Sequence, residues 1–298
     1  MSERPAPSRS RRLVSFGVGC LLLGAAAYAV VSRRSEAVRA WDSVLAAGPA
    51  LIALALILPL ANILVTSLSF WVQMRRHGTI GVGEMTALIG VAWLLNYLPL
   101  RPGMFGRLAY HKTINRIALS DSIRAMAVGM GLGAVAVVIL LAIAALMSPG
   151  AGALTWFLAL ASPALLAGVV MLAGSRAGWW WFPAVFLLRY ADMLIWVLRY
   201  WVVFRLVGAP IGIPRSTAIA AVCQLTLNIP LVGNGMGLRE WAVGLTASQL
   251  PPGLFDSRGR IEMSVGLAAD LANRVVELAV AIPTGLLCAA WLARRKRV

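Results

Sequence analysis

Apolar residues gather along this chain in eight runs, separated by short joints rich in arginine, glycine and proline. Six of the runs, 13–31, 44–74, 122–146, 154–173, 180–207 and 263–292, approach or exceed the roughly 20 residues that carry an α-helix across a bilayer. Two others, 85–100 and 217–231, are shorter. The first short run leads into Arg101-Pro102-Gly103, and the second ends at Pro230 with Gly233, Gly235 and Gly237 just beyond. Proline and glycine interrupt helices. The pattern therefore predicts an all-α fold: a polytopic transmembrane helical bundle with two broken or re-entrant segments.

Composition supports the membrane over a soluble core. Charged residues make up 13% of the chain, against about 25% in soluble domains. The net charge of +16 would point to nucleic acid in a soluble protein. Here the basic residues sit mainly in joints and at the two ends, so no nucleic-acid partner is expected and the charge instead sets orientation. Anionic lipid is a partner of matching charge. Cys20, Cys223 and Cys288 lie in apolar context without metal-ligand spacing and read as small apolar fillers.

The charges also constrain the topology. Arg9, Arg11 and Arg12 precede the run 13–31, which reads as a retained signal anchor although Ala25–Ala29 offers a small-residue cleavage site. The N-terminus, Arg75-Arg76, the stretch 101–116 and the tail Arg294-Arg295-Lys296-Arg297 all favour the cytoplasm. They agree if 85–100 enters and leaves on the cytoplasmic side and 217–231 does so on the outer side. Six full crossings then remain, and both termini are cytoplasmic in an inner (plasma) membrane. Arg33, Arg34 and Arg39 fall outside and count against this arrangement. The expected organisation is a basic N-terminus (1–12), one transmembrane domain (13–293) with repeat halves 44–147 and 180–292, and a basic tail (294–298).

Two signatures recur about 130 residues apart. Trp71-Val72-Gln73-Met74-Arg75 is matched by Trp201-Val202-Val203-Phe204-Arg205. Asn96, Pro99-Leu100, Gly103-Met104, Gly106 and Arg107 are matched in order by Asn228, Pro230-Leu231, Gly235-Met236, Gly237 and Arg239. Three crossings separate the copies, which makes them inverted, an arrangement known from transporters with broken helices. Chance recurrence of common residues is the alternative.

Candidate chemistry follows from charge at depth. Backbone opened inside a membrane must face protein or a wet cavity. An arginine beside opened helix ends makes an anion site suited to a lipid head group. Asn96, Arg101, Gly103 and Arg107 at the first break, and Asn228, Asn234, Gly235, Gly237, Arg239 and Glu240 at the second, are the candidates. Snorkelling to head groups is the competing reading, and it weighs most on Arg101 and Arg107. Asp270, Asn273, Arg274 and Glu277 share one face of the last span, and Asp270, Arg274 and Glu277 join the list. Arg189 and Asp192 can pair across one turn, with Arg199 two turns beyond. Internal neutralisation that fixes helix packing competes with a role in binding. Glu84 reads as an interface marker and Trp179, Trp180 and Trp181 as part of an aromatic belt. His77 and His111 sit in basic connections and show no partnered carboxylate pattern in the sequence; no enzyme, metal or cofactor signature emerges.

The stretch from Asn96 to Arg107, with the basic run to Ser120-Asp121-Ser122, resembles the first signature of the lysylphosphatidylglycerol synthase transmembrane region family. That family includes the flippase domain of the multiple peptide resistance factor, with hopanoid-associated and archaeal glycolipid-associated relatives. Its second signature, Pro-x-x-Gly-Gly-x-Gly-x-Arg-Glu, is similar to Pro230 through Glu240, and Arg274 looks like the arginine of the following family helix. The Glu-Arg-Leu-Leu-Asp-like element common in the helix after the first signature is missing: Arg124–Ala134 stands there. No soluble aminoacyl-transferase domain follows the last span, so lysine transfer is not expected. The resemblance implies movement of a polar or charged lipid between leaflets. A membrane scaffold for a separate lipid-modifying enzyme, and a small-solute transporter, are the rival expectations.

Overall fold

A computed structural model describes residues 42–43, 46–98, 101–147, 151–175, 178–227, 233–250, 259 and 261–295. The expected first crossing, 13–31, lies outside the described residues. Those residues form an all-α bundle: α1 (Pro49–Met74), α2 (Val82–Leu95), α3 (Pro102–Thr113), α4 (Leu119–Leu146), α5 (Ala153–Ser175), α6 (Trp181–Leu206), α7 (Ile213–Leu227), α8 (Leu238–Gln249) and α9 (Met263–Arg295). A 3-10 turn, Gly233–Gly235, precedes α8. Five helices, α1, α4, α5, α6 and α9, are long and apolar enough to span a membrane.

The two short runs differ from their expected form. The first is α2, which starts three residues earlier than expected and stops at Leu95. The second is α7, which ends at Leu227. At about 1.5 Å per residue, neither reaches across an apolar core of ~30 Å. Each is followed by a break and a second short helix, α3 or α8. The stretch 101–116, read as a cytoplasmic surface, is mostly α3, and it folds back into the bundle. Gly103, Arg107 and His111 are buried on it at spacings of four, one stripe of a helix.

Contacts show where each pair opens. Asn115, just past α3, donates to Glu84 Oε1 in the first turn of α2 at 2.9 Å, so α2 begins where α3 ends. Arg295 at the end of α9 lies 3.3 Å from Glu84, and His77 after α1 lies 3.4 Å from Asp121 in α4. Glu84 is thus a buried tether between three chain segments, where the sequence suggested an interface marker. Arg75, Arg76, Lys112, Arg116 and Arg124 gather at this same basic end. The α7–α8 pair opens at the other end. Arg215 in the first turn of α7 donates to the Gly259 carbonyl at 3.2 Å, just before α9 starts. Midway along α8, Gly244 lies against Leu267 and the Met263 carbonyl in the first turns of α9, and Ala247 near its end lies against Gly266.

Antiparallel contact between α1 and α6 forms the centre. Ala55 and Leu58 pack with Val202 and Leu206, while Val72 packs with Ala184 and Val185 at the opposite end. Apolar packing alone supplies no strong drive inside a lipid, because lipid tails are equally apolar; close fit and polar contacts between helices carry association. Large residues on α5 such as Leu154, Phe157, Leu165 and Leu172 face outward, as expected of lipid contact.

Candidate functional site

The first break is built to hold two half-helices together. Gly103 in the first turn of α3 lies against the backbone of Ala92, and any Cβ there would overlap the Ala92 carbonyl. The Met104 N–H in the first turn of α3 is shared between the Arg101 carbonyl at 3.0 Å and Asn96 Oδ1 at 3.2 Å. Arg101 takes a left-handed conformation with φ of 50° directly before Pro102, and it is half-buried. These contacts show Asn96 and Gly103 shaping the turn between α2 and α3.

The second break is turned by left-handed residues as well. Asn234, Gly235 and Gly237 have φ of 46°, 67° and 80°. Left-handed backbone is accessible to glycine without a side-chain clash, and to asparagine more readily than to most residues. The break delivers Leu238 to the start of α8, so Arg239 and Glu240 fall in its first turn. Asn228 lies outside the described residues.

Arg239 and Glu240 then meet the charged face of α9. Arg239 donates through Nε to Asp270 Oδ2 and through Nη1 to Glu277 Oε2, both at 2.9 Å. Arg274 pairs with Glu240, and Arg199 of α6 pairs with Glu277. Arg199 also donates to Asn273 Oδ1 at 2.9 Å and to Asn62 Oδ1 at 3.2 Å, and it lies 3.9 Å over the Trp196 ring. Asn62 donates in turn to Asp192 Oδ1 at 2.8 Å. Two tyrosine hydroxyls complete the carboxylates: Tyr200 donates to Asp270 at 2.7 Å and Tyr97 donates to Glu277 at 3.0 Å. All of these charged side chains are buried. An isolated buried charge costs several kcal/mol, so a charge here needs a counter-charge and hydrogen bonds. The network supplies both.

Some donors remain unused. Arg239 Nη2, Arg274 Nη1 and Nη2, and Asn273 Nδ2 are buried with no hydrogen-bond partner among the described residues, as is the acceptor Glu240 Oε2. Most buried polar groups in folded proteins are bonded, so this group stands out.

Arg239, Glu240, Asp270, Arg274 and Glu277 therefore come together, while Arg107 does not join them. Arg107 is 8% exposed, where the sequence left snorkelling as the stronger reading. Its guanidinium lies 3.8 Å from the centre of the Phe70 ring, and that of Arg189 lies 4.9 Å from the same ring. Arg189 reaches Asp192 only loosely, at 3.8 Å.

Sequence reasoning missed Asn62, Tyr97 and Tyr200. A signal existed for two of them. Asn62 is a lone amide in a long apolar run, and Tyr200 adjoins Arg199. Trp180 and Trp181, read as part of an aromatic belt, stack with Arg75 and Arg76 at 5.7 and 4.0 Å. Among the described residues, no group of three or more histidine, cysteine or acidic side chains is arranged to hold a metal ion. Comparison with models of known protein families and with curated proteins finds no match for this chain.

Proposed function

We propose that the protein moves a polar or charged lipid between the leaflets of a plasma membrane, as a flippase or lipid transporter. The observation that carries this reading is the buried ion network on α6, α8 and α9 with its unused donors. A network serving only to lock helices together would be expected to satisfy its own hydrogen bonds. Donors held free at depth are what a passing head group needs. The same donors speak against a scaffold, which has no use for a polar path.

The reading includes an inverted repeat of α1–α4 and α6–α9. What supports it is a chain of correspondences. The two sets run long, short, short, long, and their short pairs open at opposite ends of the bundle. Exchanging α1 with α6, α2 with α7, α3 with α8 and α4 with α9 turns the set of packed helix pairs among these eight into itself. The corresponding helices α1 and α6 run antiparallel, as inversion requires. Arg75 lies over Trp71 at 4.6 Å, and Arg205 lies over Trp201 at 3.4 Å. Two halves of this kind can rock against each other around a fixed central site. The basic end would face the cytoplasm with both termini. The proposed cargo class, an anionic or otherwise modified lipid, also fits the resemblance to the lysylphosphatidylglycerol synthase transmembrane region family.

The test is transport of a fluorescent anionic phospholipid in phosphatidylcholine vesicles containing the purified protein. Arg239→Ala and Arg274→Ala are expected to abolish transport while still inserting. Wild-type rates from both variants would defeat the proposal.

A further inference from the structure

The Phe70 ring marks a second polar centre, separate from the ion network on α9. Arg107 is buried and has no carboxylate in ion-pair range among the described residues. Arg189 shares the ring and has one carboxylate, Asp192, at 3.8 Å. Asp192 spends its closer contacts elsewhere, accepting from Asn62 at 2.8 Å and Thr66 at 3.3 Å. Two cations thus face a single carboxylate that is already well bonded.

The surroundings are polar and unfinished. Gln73 Oε1 and Arg189 Nε are buried without partners among the described residues. Both side chains border Gly129 of α4: a Cβ there would lie 3.1 Å from Arg189 Nη2 and 3.5 Å from Gln73 Nε2. Four elements therefore contribute, namely α1, α3, α4 and α6. Phe70 stands five residues before Arg75, roughly one and a half helical turns or ~7 Å inside the basic end. With the basic end at the head groups, that distance matches the ~5–7 Å thickness of one polar interfacial layer. On α3, Phe105 and Gly106, adjoining Arg107, are exposed on the outside of the bundle.

We infer that Arg107 and Arg189 bind a phosphate group, carried by an anionic phospholipid or present as free phosphate, at the basic end of the bundle. A guanidinium presents a planar fork of donors that matches phosphate oxygens. An uncompensated buried cation is costly, and an anion removes that cost. The network around Arg239 differs: Asp270, Glu277 and Glu240 balance its three arginines, so its free donors can hydrogen-bond a passing head group but hold no excess positive charge to retain an anion at rest. The inference deepens the lipid-transport reading and rests on it only for the source of the phosphate.

The test uses the purified full-length protein in neutral detergent, with phosphatidylglycerol titrated and retention measured by native mass spectrometry. Arg107→Gln and Arg189→Gln are each expected to weaken retention by on the order of tenfold or more, the loss of a charge-assisted hydrogen bond. Asp192→Asn is expected to tighten it, because it removes the carboxylate beside Arg189; unfolding cannot imitate a gain. Millimolar inorganic phosphate is expected to displace the lipid. If inorganic phosphate binds in an Arg107-dependent way and phosphatidylglycerol does not, the site stands with free phosphate as its occupant. Unchanged binding of both probes in Arg107→Gln, or weaker binding in Asp192→Asn, overturns the inference. That result leaves the Arg239 and Arg274 transport test untouched. Conversely, wild-type transport in those variants would not alter an Arg107-dependent binding curve.

Discussion

Each broken helix pair carries an arginine on its second short helix, Arg107 in the second turn of α3 and Arg239 in the first turn of α8, yet the two arginines live in opposite surroundings. Arg239 on α8 meets two carboxylates and is locked by hydrogen bonds at 2.9 Å. Arg107 on α3 meets an aromatic ring and a second arginine. The cause lies in the long helix that follows each pair. α9 carries Asp270, Arg274 and Glu277 on its inner face, whereas α4 has no ionisable residue between Arg124 and its end at Leu146. One backbone plan can therefore hold a self-neutralised centre and a cationic one, and the choice lies with a few side chains on a neighbouring helix.

The sharpest way to break this comparison is to remove charge from each centre in turn. Glu277→Ala leaves Arg199 and Arg239 buried with their counter-charge reduced and should lower stability by about 3–5 kcal/mol. Arg107→Ala loses the stack on Phe70 but also relieves a buried cation with no carboxylate in range among the described residues, and because the two effects offset it should stay within about 1 kcal/mol of wild type. Reversible unfolding in mixed detergent micelles measures both, and equal losses would erase the distinction.

Backbone fit at the first break gives the next effect. Gly103→Ala sets a methyl group against the Ala92 carbonyl and should cost about 1–3 kcal/mol. Gly106→Ala meets nothing within 4 Å and should change stability by less than about 0.5 kcal/mol. Similar melting shifts for the two would mean that α2 and α3 do not pack backbone to backbone.

Asn96→Ala leaves the Met104 N–H with the Arg101 carbonyl alone and should cost about 0.5–1 kcal/mol. Faster hydrogen exchange at the Met104 amide is the local readout, and an unchanged rate would count against the Asn96 contact.

The smallest effect compares the matched Trp–Arg stacks. Arg75→Ala loses a cation–π contact at an exposed site and should cost about 0.5–1 kcal/mol. Arg205→Ala should cost more, since Arg205 also donates to the Trp201 and Ile211 carbonyls at 3.1 and 3.3 Å. The reverse order would show that the two ends are not built alike.

Much of the plan is legible in the sequence. The five long helices match apolar runs to within a few residues, because hydropathy over about 20 residues is a strong local signal. The face shared by Asp270, Asn273, Arg274 and Glu277 follows from helical periodicity alone. The short polar helix α3 escaped because its 12 residues carry too little apolar surface for hydropathy to register. Its buried stripe at 103, 107 and 111 was present in the spacing, but a polar stripe reads equally well as a solvated loop.

The sequence by itself determined that this chain spans a membrane, where its long helices lie, where its helices break, and which charges share a helix face. These are properties of one segment and of the solvent around it. Tertiary structure decided which charges meet. Tyr97 reaches Glu277 across 180 positions and Asn62 reaches Asp192 across 130, and such partners depend on how helices cross and where a break redirects the chain. The same packing buries Arg107 away from every carboxylate of α9 and sets Arg239 among them. Periodicity fixes a face, whereas only packing supplies the face opposite.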